Sequence, residues 1–102
     1  MAKIIAMYKT PADPAAFDRY YFGPHVKLAK AVPGLKGYEV TRGPVMTPAG
    51  PAPFYLVAML TFESMAAIQA ALASPQGQAT VADLANFATG GVEIVMADSE
   101  AI

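Results

Sequence analysis

The stretch FYLVAMLTF, residues 54 to 62, places the tightest condition on any fold this chain can adopt. It is short, rich in aromatic and branched side chains, and follows a proline-rich segment, so it reads as a β-strand. Along a strand the side chains alternate: Leu56, Ala58, Leu60 and Phe62 point to one face, Tyr55, Val57, Met59 and Thr61 to the other. Both faces are largely apolar, so both need cover. A single layer of helices can hide only one of them.

The rest of the chain supplies that layer. Residues 3 to 9, KIIAMYK, form a first apolar strand bounded by Thr10-Pro11. Asp13 N-caps a helix whose first position is Pro14, where a missing N–H costs nothing. The helix is expected to run to about Val32, before Pro33-Gly34 stops it. At ~100° per residue, Phe17, Tyr21, Pro24, Leu28, Ala31 and Val32 share one stripe, with His25 on its flank. LKGYEVTRGPVM, residues 35 to 46, is a second extended segment that Gly43-Pro44 interrupts or ends, and TPAGPAP, 47 to 53, reads as a hairpin loop. Beyond residue 62, Ser64 caps a short helix with Met65, Ile68 and Leu72 inward. Ser74-Pro75 opens another over roughly 75 to 88, with Val81, Leu84 and Phe87 or Ala88 inward. Gly90-Gly91 closes it, and VEIVMA, 92 to 97, is the last strand.

The order is β, α, β, β, α, β, which right-handed connections fold into an α+β, ferredoxin-like sandwich: a four-stranded antiparallel sheet with its helices on one face. At 102 residues this is one domain spanning 1-102. The bare sheet face predicts a homodimer packed sheet against sheet. A hydrophobic fraction of 55% agrees, being above the ~45 to 50% of average chains.

Several chemistries fall away on composition. There is no cysteine, hence no disulfide, thiolate nucleophile or iron-sulfur cluster. One histidine cannot build a three-histidine metal site, and the carboxylates show no metal-ligand spacing. Seven Lys/Arg against eight Asp/Glu, all scattered, argue against a nucleic-acid surface. No apolar run approaches the ~18 to 20 residues of a membrane helix, and no signal-peptide pattern opens the chain, so a cytoplasmic protein without a membrane partner is expected. G-x-S-x-G, P-loop and G-x-G-x-x-G motifs are missing, which leaves nucleotide cofactors without local support.

His25 is the one side chain able to exchange protons readily near neutral pH. Four residues after Tyr21 and three before Leu28, it should reach the space between helix and sheet. A structural histidine satisfied by a neighbour is the competing reading. Pro24 sits directly before it, and an interior proline forfeits the bond to the Tyr20 carbonyl at a cost of ~3 kcal/mol; the turn either kinks there or divides into two helices. A tyrosine hydroxyl can orient a carbonyl or phenolic ligand while its ring packs apolar surface, and of Tyr8, Tyr20, Tyr21, Tyr38 and Tyr55 the spacing to His25 favours Tyr21. Lys9, Lys27, Glu39, Arg42 and Asp83 read as solvated or paired across the dimer; an acid such as Asp83 could orient the imidazole, although no spacing brings the two together.

The pattern Tyr20-Tyr21, His25, Leu28-Ala29, Pro33-Gly34-Leu35 and Tyr38-Glu39-Val40 resembles the ethyl tert-butyl ether degradation (EthD) family of the dimeric α/β barrel superfamily. Phe62-Glu63-Ser64, Ser74-Pro75, Gly77-Gln78 and Asp83-Leu84-Ala85-Asn86-Phe87 extend the likeness over nearly the whole chain. Family members commonly carry a proline two residues after the histidine; here Val26-Lys27 follows, and Pro24 precedes it. The resemblance implies two protomers forming a dimeric α/β barrel. It also implies an apolar cavity between helices and sheet, used by superfamily relatives for cofactor-independent oxidation, cyclisation, isomerisation or haem chemistry. On that footing the chain is expected to bind an apolar, oxygenated or aromatic small molecule. His25 would serve as general acid or base and Tyr21 would orient the ligand. Tyr8, Tyr38, Phe62, Asn86 and Phe87 are the expected ligand contacts. No cofactor is predicted, with haem on His25 the outlying alternative, and a non-catalytic metabolite-binding accessory of a degradation pathway is the alternative function.

Overall fold

The computed structural model describes residues 1–102. Strands β1 (Ala2–Tyr8), β2 (Gly37–Val40), β5 (Leu56–Phe62) and β6 (Val92–Asp98) form one four-stranded antiparallel sheet in the order β2-β5-β1-β6. That is the expected ferredoxin-like arrangement. The two longest pairings run in full register, Ala2 opposite Phe62 and Asp98, Tyr8 opposite Leu56 and Val92. Ala2, Ile4, Ala6 and Tyr8 of β1 are buried beneath the helices, together with Leu56, Ala58 and Phe62 of β5.

The second extended segment is shorter than its sequence suggests. Thr41 bonds Val57 with its own N–H, but its hydroxyl rather than its carbonyl receives the Val57 N–H at 3.0 Å, so the ladder ends there. Met46–Thr47 (β3) then pairs with Gly50–Pro51 (β4) as a separate two-residue ribbon inside the proline-rich loop.

The first helix departs from its expected course in a way that matters for the site. α1 (Pro14–Tyr20), capped by the Asp13 carboxylate on Ala16 N–H, passes into a π-turn over Tyr21–His25 and resumes as α2 (Val26–Lys30). The Val26 N–H reaches back five residues to the Tyr21 carbonyl, and the φ and ψ angles at Tyr20, Tyr21, His25 and Val26 all stay helical. Pro24, having no N–H to give, sits inside the turn. The result is neither a simple kink nor two helices, but one helix with a residue inserted. Everything beyond the insertion is displaced by one position. The buried stripe is Phe17, Tyr21, His25, Ala29 and Val32, while Pro24 and Ala31 are exposed.

α3 (Met65–Ala73) and α4 (Pro75–Asp83) follow, capped by the Ser64 and Ser74 hydroxyls. Both buried faces shift slightly from expectation. In α4 and the 3₁₀ turn Leu84–Asn86 behind it, Gly77, Asp83 and Phe87 are buried, and Val81 is half exposed. The helices cover β2, β5 and β1 but leave the inner face of β6 open, with Ile94 and Met96 each more than two-fifths exposed. The core divides into a cluster around Tyr8, Phe17, Tyr21 and Phe87 and another around Ile4, Phe62 and Ile68. Between them lies a cavity.

Candidate functional site

The cavity measures about 330 Å³, at the lower end of the range for small-molecule sites. Strands β1, β5 and β6 floor it, the π-turn and α2 roof it, and α4 closes one side. Its walls are mostly aliphatic or aromatic, and the polar groups that reach them are few: His25 and the hydroxyls of Tyr8, Tyr21, Tyr38 and Thr80.

His25 enters this space because of the inserted residue. Its ring is 5% exposed and packs on Phe87 at 4.6 Å and Tyr21 at 5.2 Å between centroids. Nδ1 lies 2.9 Å from Oδ2 of Asp83, itself 6% exposed. Asp83 was expected to be solvated or paired across a dimer; instead it is buried at the C-terminal end of α4 and serves the imidazole. Its other oxygen, Oδ1, accepts from the Tyr20 hydroxyl at 2.5 Å and from Asn86 Nδ2 at 2.9 Å. Burial alone would raise the Asp83 pKa, but the hydrogen bonds from Tyr20, Asn86 and His25 outweigh it and hold the carboxyl below its ordinary range. Burial lowers the His25 pKa, and the Asp83 hydrogen bond and charge offset only part of that. The stable pair at neutral pH is therefore carboxylate and neutral imidazole. A carboxylate has no proton to donate, so Nδ1 carries the hydrogen and Nε2 carries the lone pair. Asp83 thus fixes the tautomer that makes His25 a base.

The tyrosines form a second polar group. Tyr21 and Tyr38 share a hydrogen bond at 2.7 Å between their hydroxyls. Burial pushes the pKa values of Tyr8, Tyr21 and Tyr38 upward, which keeps all three neutral. The Tyr8 ring packs edge-on against Phe17 and Tyr21 and tilts over Phe87.

Of the residues singled out in the sequence, His25, Tyr21, Tyr8, Tyr38 and Phe62 line the cavity. Asn86 and Phe87 do not. Asn86 holds Asp83, and Phe87 supports the His25 ring from behind. Asp83, named in the sequence as an acid that could orient the imidazole but read as solvated or paired across a dimer, and Tyr20, set behind Tyr21 among the tyrosines, are the members whose place sequence reasoning did not find. The available signal was helical spacing: from Gly77, positions Thr80, Asp83 and Phe87 follow one face, whereas the expected stripe was anchored on Val81. No three His, Asp or Glu side chains come close enough to hold a metal ion. A haem would find one imidazole and no Lys or Arg on the walls to meet its propionates, so the residues present do not fit it.

The chain as a whole has relatives among known proteins. The family model described as EthD domain matches residues 9–91. An 11.0 kDa protein of the thcB-thcC intergenic region of Rhodococcus erythropolis is 40% identical over 102 residues, covering 100% of this chain and 98% of that protein. The crystal structure of an ethyl tert-butyl ether degradation family protein from Bacillus halodurans superposes with a TM-score of 0.89 at 33% identity, over 98% of this chain and 99% of the other. SnoaB, a cofactor-independent oxygenase from Streptomyces nogalater, gives a TM-score of 0.69 at 16% identity, over 99% and 94% of the two chains. That last likeness is one of fold.

Proposed function

The chain belongs to the EthD domain family, and from that premise we propose that it is a small dimeric enzyme moving a proton on an apolar, oxygenated molecule held between helices and sheet. The observation that carries the reading is the imidazole of His25, clamped at Nδ1 by a buried carboxylate while its ring lines an apolar cavity. Such a pair is a general base that returns its proton as a general acid, an effect worth typically 10² to 10⁴ in rate. Asp83 acts as a positioning residue, and Tyr20 and Asn86 hold Asp83. Proton transfer of this kind is the step common to isomerisation, cyclisation and cofactor-independent oxidation. The name of SnoaB is in keeping with the last of these, and the oxidoreductase label rests on family and fold.

His25→Ala is the test. Its cavity should still bind small cyclic ketones and phenols, read by ligand-observed NMR, while any turnover of them falls by at least 10²-fold. Turnover unchanged in this variant removes the histidine from the mechanism. Binding without turnover in the wild-type protein would make it a metabolite-binding accessory instead.

A further inference from the structure

Two polar groups in the cavity have no partner within the protein. One is Nε2 of His25, left free because Asp83 takes Nδ1. The other is the hydroxyl of Tyr8, a residue only 2% exposed. The phenols of Tyr21 and Tyr38 satisfy each other, those of Tyr20 and Tyr55 bond Asp83 and Asp18, and Tyr8 alone among the five tyrosines makes no side-chain hydrogen bond. No polar side-chain atom sealed from the surface lacks a partner, so the Tyr8 hydroxyl lies on the cavity wall that Tyr8 helps to form. A buried hydroxyl left unpaired is disfavoured in a folded protein unless something else meets it.

The two free groups have opposite needs. Tyr8 can donate a hydrogen bond, and Nε2 seeks a hydrogen. Tyr8 rises from β1 in the floor, whereas His25 hangs from the π-turn in the roof. A ligand satisfying both presents an acceptor oxygen to the floor and a labile hydrogen to the roof. Resting on the acid–base reading above, we infer that the site takes an enolisable carbonyl compound, with its oxygen on the Tyr8 hydroxyl and its α-carbon beneath His25 Nε2.

The step balances without an oxidant. The Nε2 lone pair takes the α-proton, the C–H pair becomes the new C=C bond, and the carbonyl π pair moves onto oxygen as an enolate. Tyr8 donates to that oxyanion, and the imidazolium formed is paired with the Asp83 carboxylate. Once the imidazolium has traded its hydrogen with solvent, its return to the α-carbon completes exchange; where the enolate is extended by a β,γ double bond, return to the γ-carbon completes isomerisation. Donors placed where negative charge develops are the larger part of many such accelerations, and loss of one costs about 10² to 10³ in kcat. The Tyr21–Tyr38 pair beside Tyr8 remains neutral and adds no charge that would repel the enolate.

The experiment follows the α-protons of 2-tetralone in D₂O by NMR. The wild-type protein is expected to wash them out faster than buffer, His25→Ala to abolish the acceleration, and Tyr8→Phe to lower kcat about 10²-fold with KM changed much less. Tyr8→Phe retains the ring that packs on Phe17, Tyr21 and Phe87, and its circular dichroism and melting curve verify the fold. Exchange lost in His25→Ala but unchanged in Tyr8→Phe overturns the assignment of Tyr8 and leaves the histidine as base. Exchange no faster than buffer in the wild type, whether or not the ketone binds, overturns the carbonyl class. Exchange equally fast in His25→Ala overturns the acid–base reading as well.

Discussion

The charge states of His25 and Asp83 are set mutually, and that makes the pair sensitive to acid. His25 has its folded-state pKa below the ordinary 6.5, chiefly through burial, and Asp83 lies below its ordinary 3.8 through the hydrogen bonds it accepts. In both cases the unfolded chain binds the proton more readily than the native one, so stability rises with pH. The histidine's contribution is complete above 6.5 and is lost as pH falls below that value; the aspartate's is lost below 3.8. Denaturant midpoints should therefore fall between pH 7 and pH 5 in the wild-type protein and change much less in His25→Ala. A flat wild-type profile over that interval would mean that the imidazole is not buried. Asp83→Asn makes a complementary case. It removes the bond and the charge that raise the histidine's pKa, so His25, followed by NMR titration, should titrate lower than in the wild type. An upward movement would contradict the pairing. Because the amide also leaves Nδ1 without a carboxylate, the variant should lose about 10-fold or more in exchange rate while still binding the ketone.

At the scale of elements, the π-turn decides which side chains are buried. An α-helix through Phe17 and Tyr21 carries Pro24, Leu28 and Ala31 inward along with Val32, whereas the inserted residue brings His25 and Ala29 to that face, keeps Val32 there and turns Pro24 and Ala31 out. The same stripe would survive on a regular helix shortened by one residue. Deleting Gly23 together with Pro24→Ala should consequently fold, with stability unchanged or raised by up to about 3 kcal/mol, the cost of an interior proline. Its imidazole stays on that buried stripe toward Asp83, so proton exchange should persist; exchange lost in a folded variant would show that the turn itself aims His25, and a variant that melts out entirely would show the turn to be required for folding. Such a shift is hard to read from residues. Pro24 announces that some hydrogen bond is missing, but proline equally permits a kink, a break or a bulge, and burial across the sheet selects among them. The strands were legible because alternation along β1 and β5 is a local property, and the three caps because Asp13, Ser64 and Ser74 act within three residues. The partnership of His25 with Asp83 spans 58 positions and depends on how α4 is set against the helix before it. Gly77 governs part of that placement. A Cβ there would lie 1.9 Å from the Ala71 carbonyl oxygen, so Gly77→Ala should push α4 away from α3 and cost about 1 to 3 kcal/mol by thermal or chemical melting. Loss below 0.5 kcal/mol would show that the two helices have room to part.

For the whole molecule, the unresolved demand is the sheet face turned away from the helices. Ile5 and Met7 from β1, Val57 and Met59 from β5, and Val95 from β6 form an apolar centre there, with Val95 about half exposed. Polar contacts bound it at either end, Lys3 donating to Thr61 at 2.8 Å and Lys9 facing Glu93 at 3.9 Å. An apolar middle with a polar margin is the anatomy of a specific interface, and a self-complementary patch of this kind closes with a two-fold axis. The proposed dimer should appear in light scattering at micromolar concentration as twice the chain mass of 10.7 kDa. Met59→Glu combined with Val95→Glu brings like charges together across that axis, at a cost of several kcal/mol, and should raise the dissociation constant about 100-fold or more. The cavity lies on the opposite side of the sheet from this patch, so the resulting monomer should still bind 2-tetralone. A wild-type monomer would mean that the apolar centre tolerates water, and a double variant that remains dimeric would move the interface to the open edge and inner face of β6, where Ile94 and Met96 stand exposed.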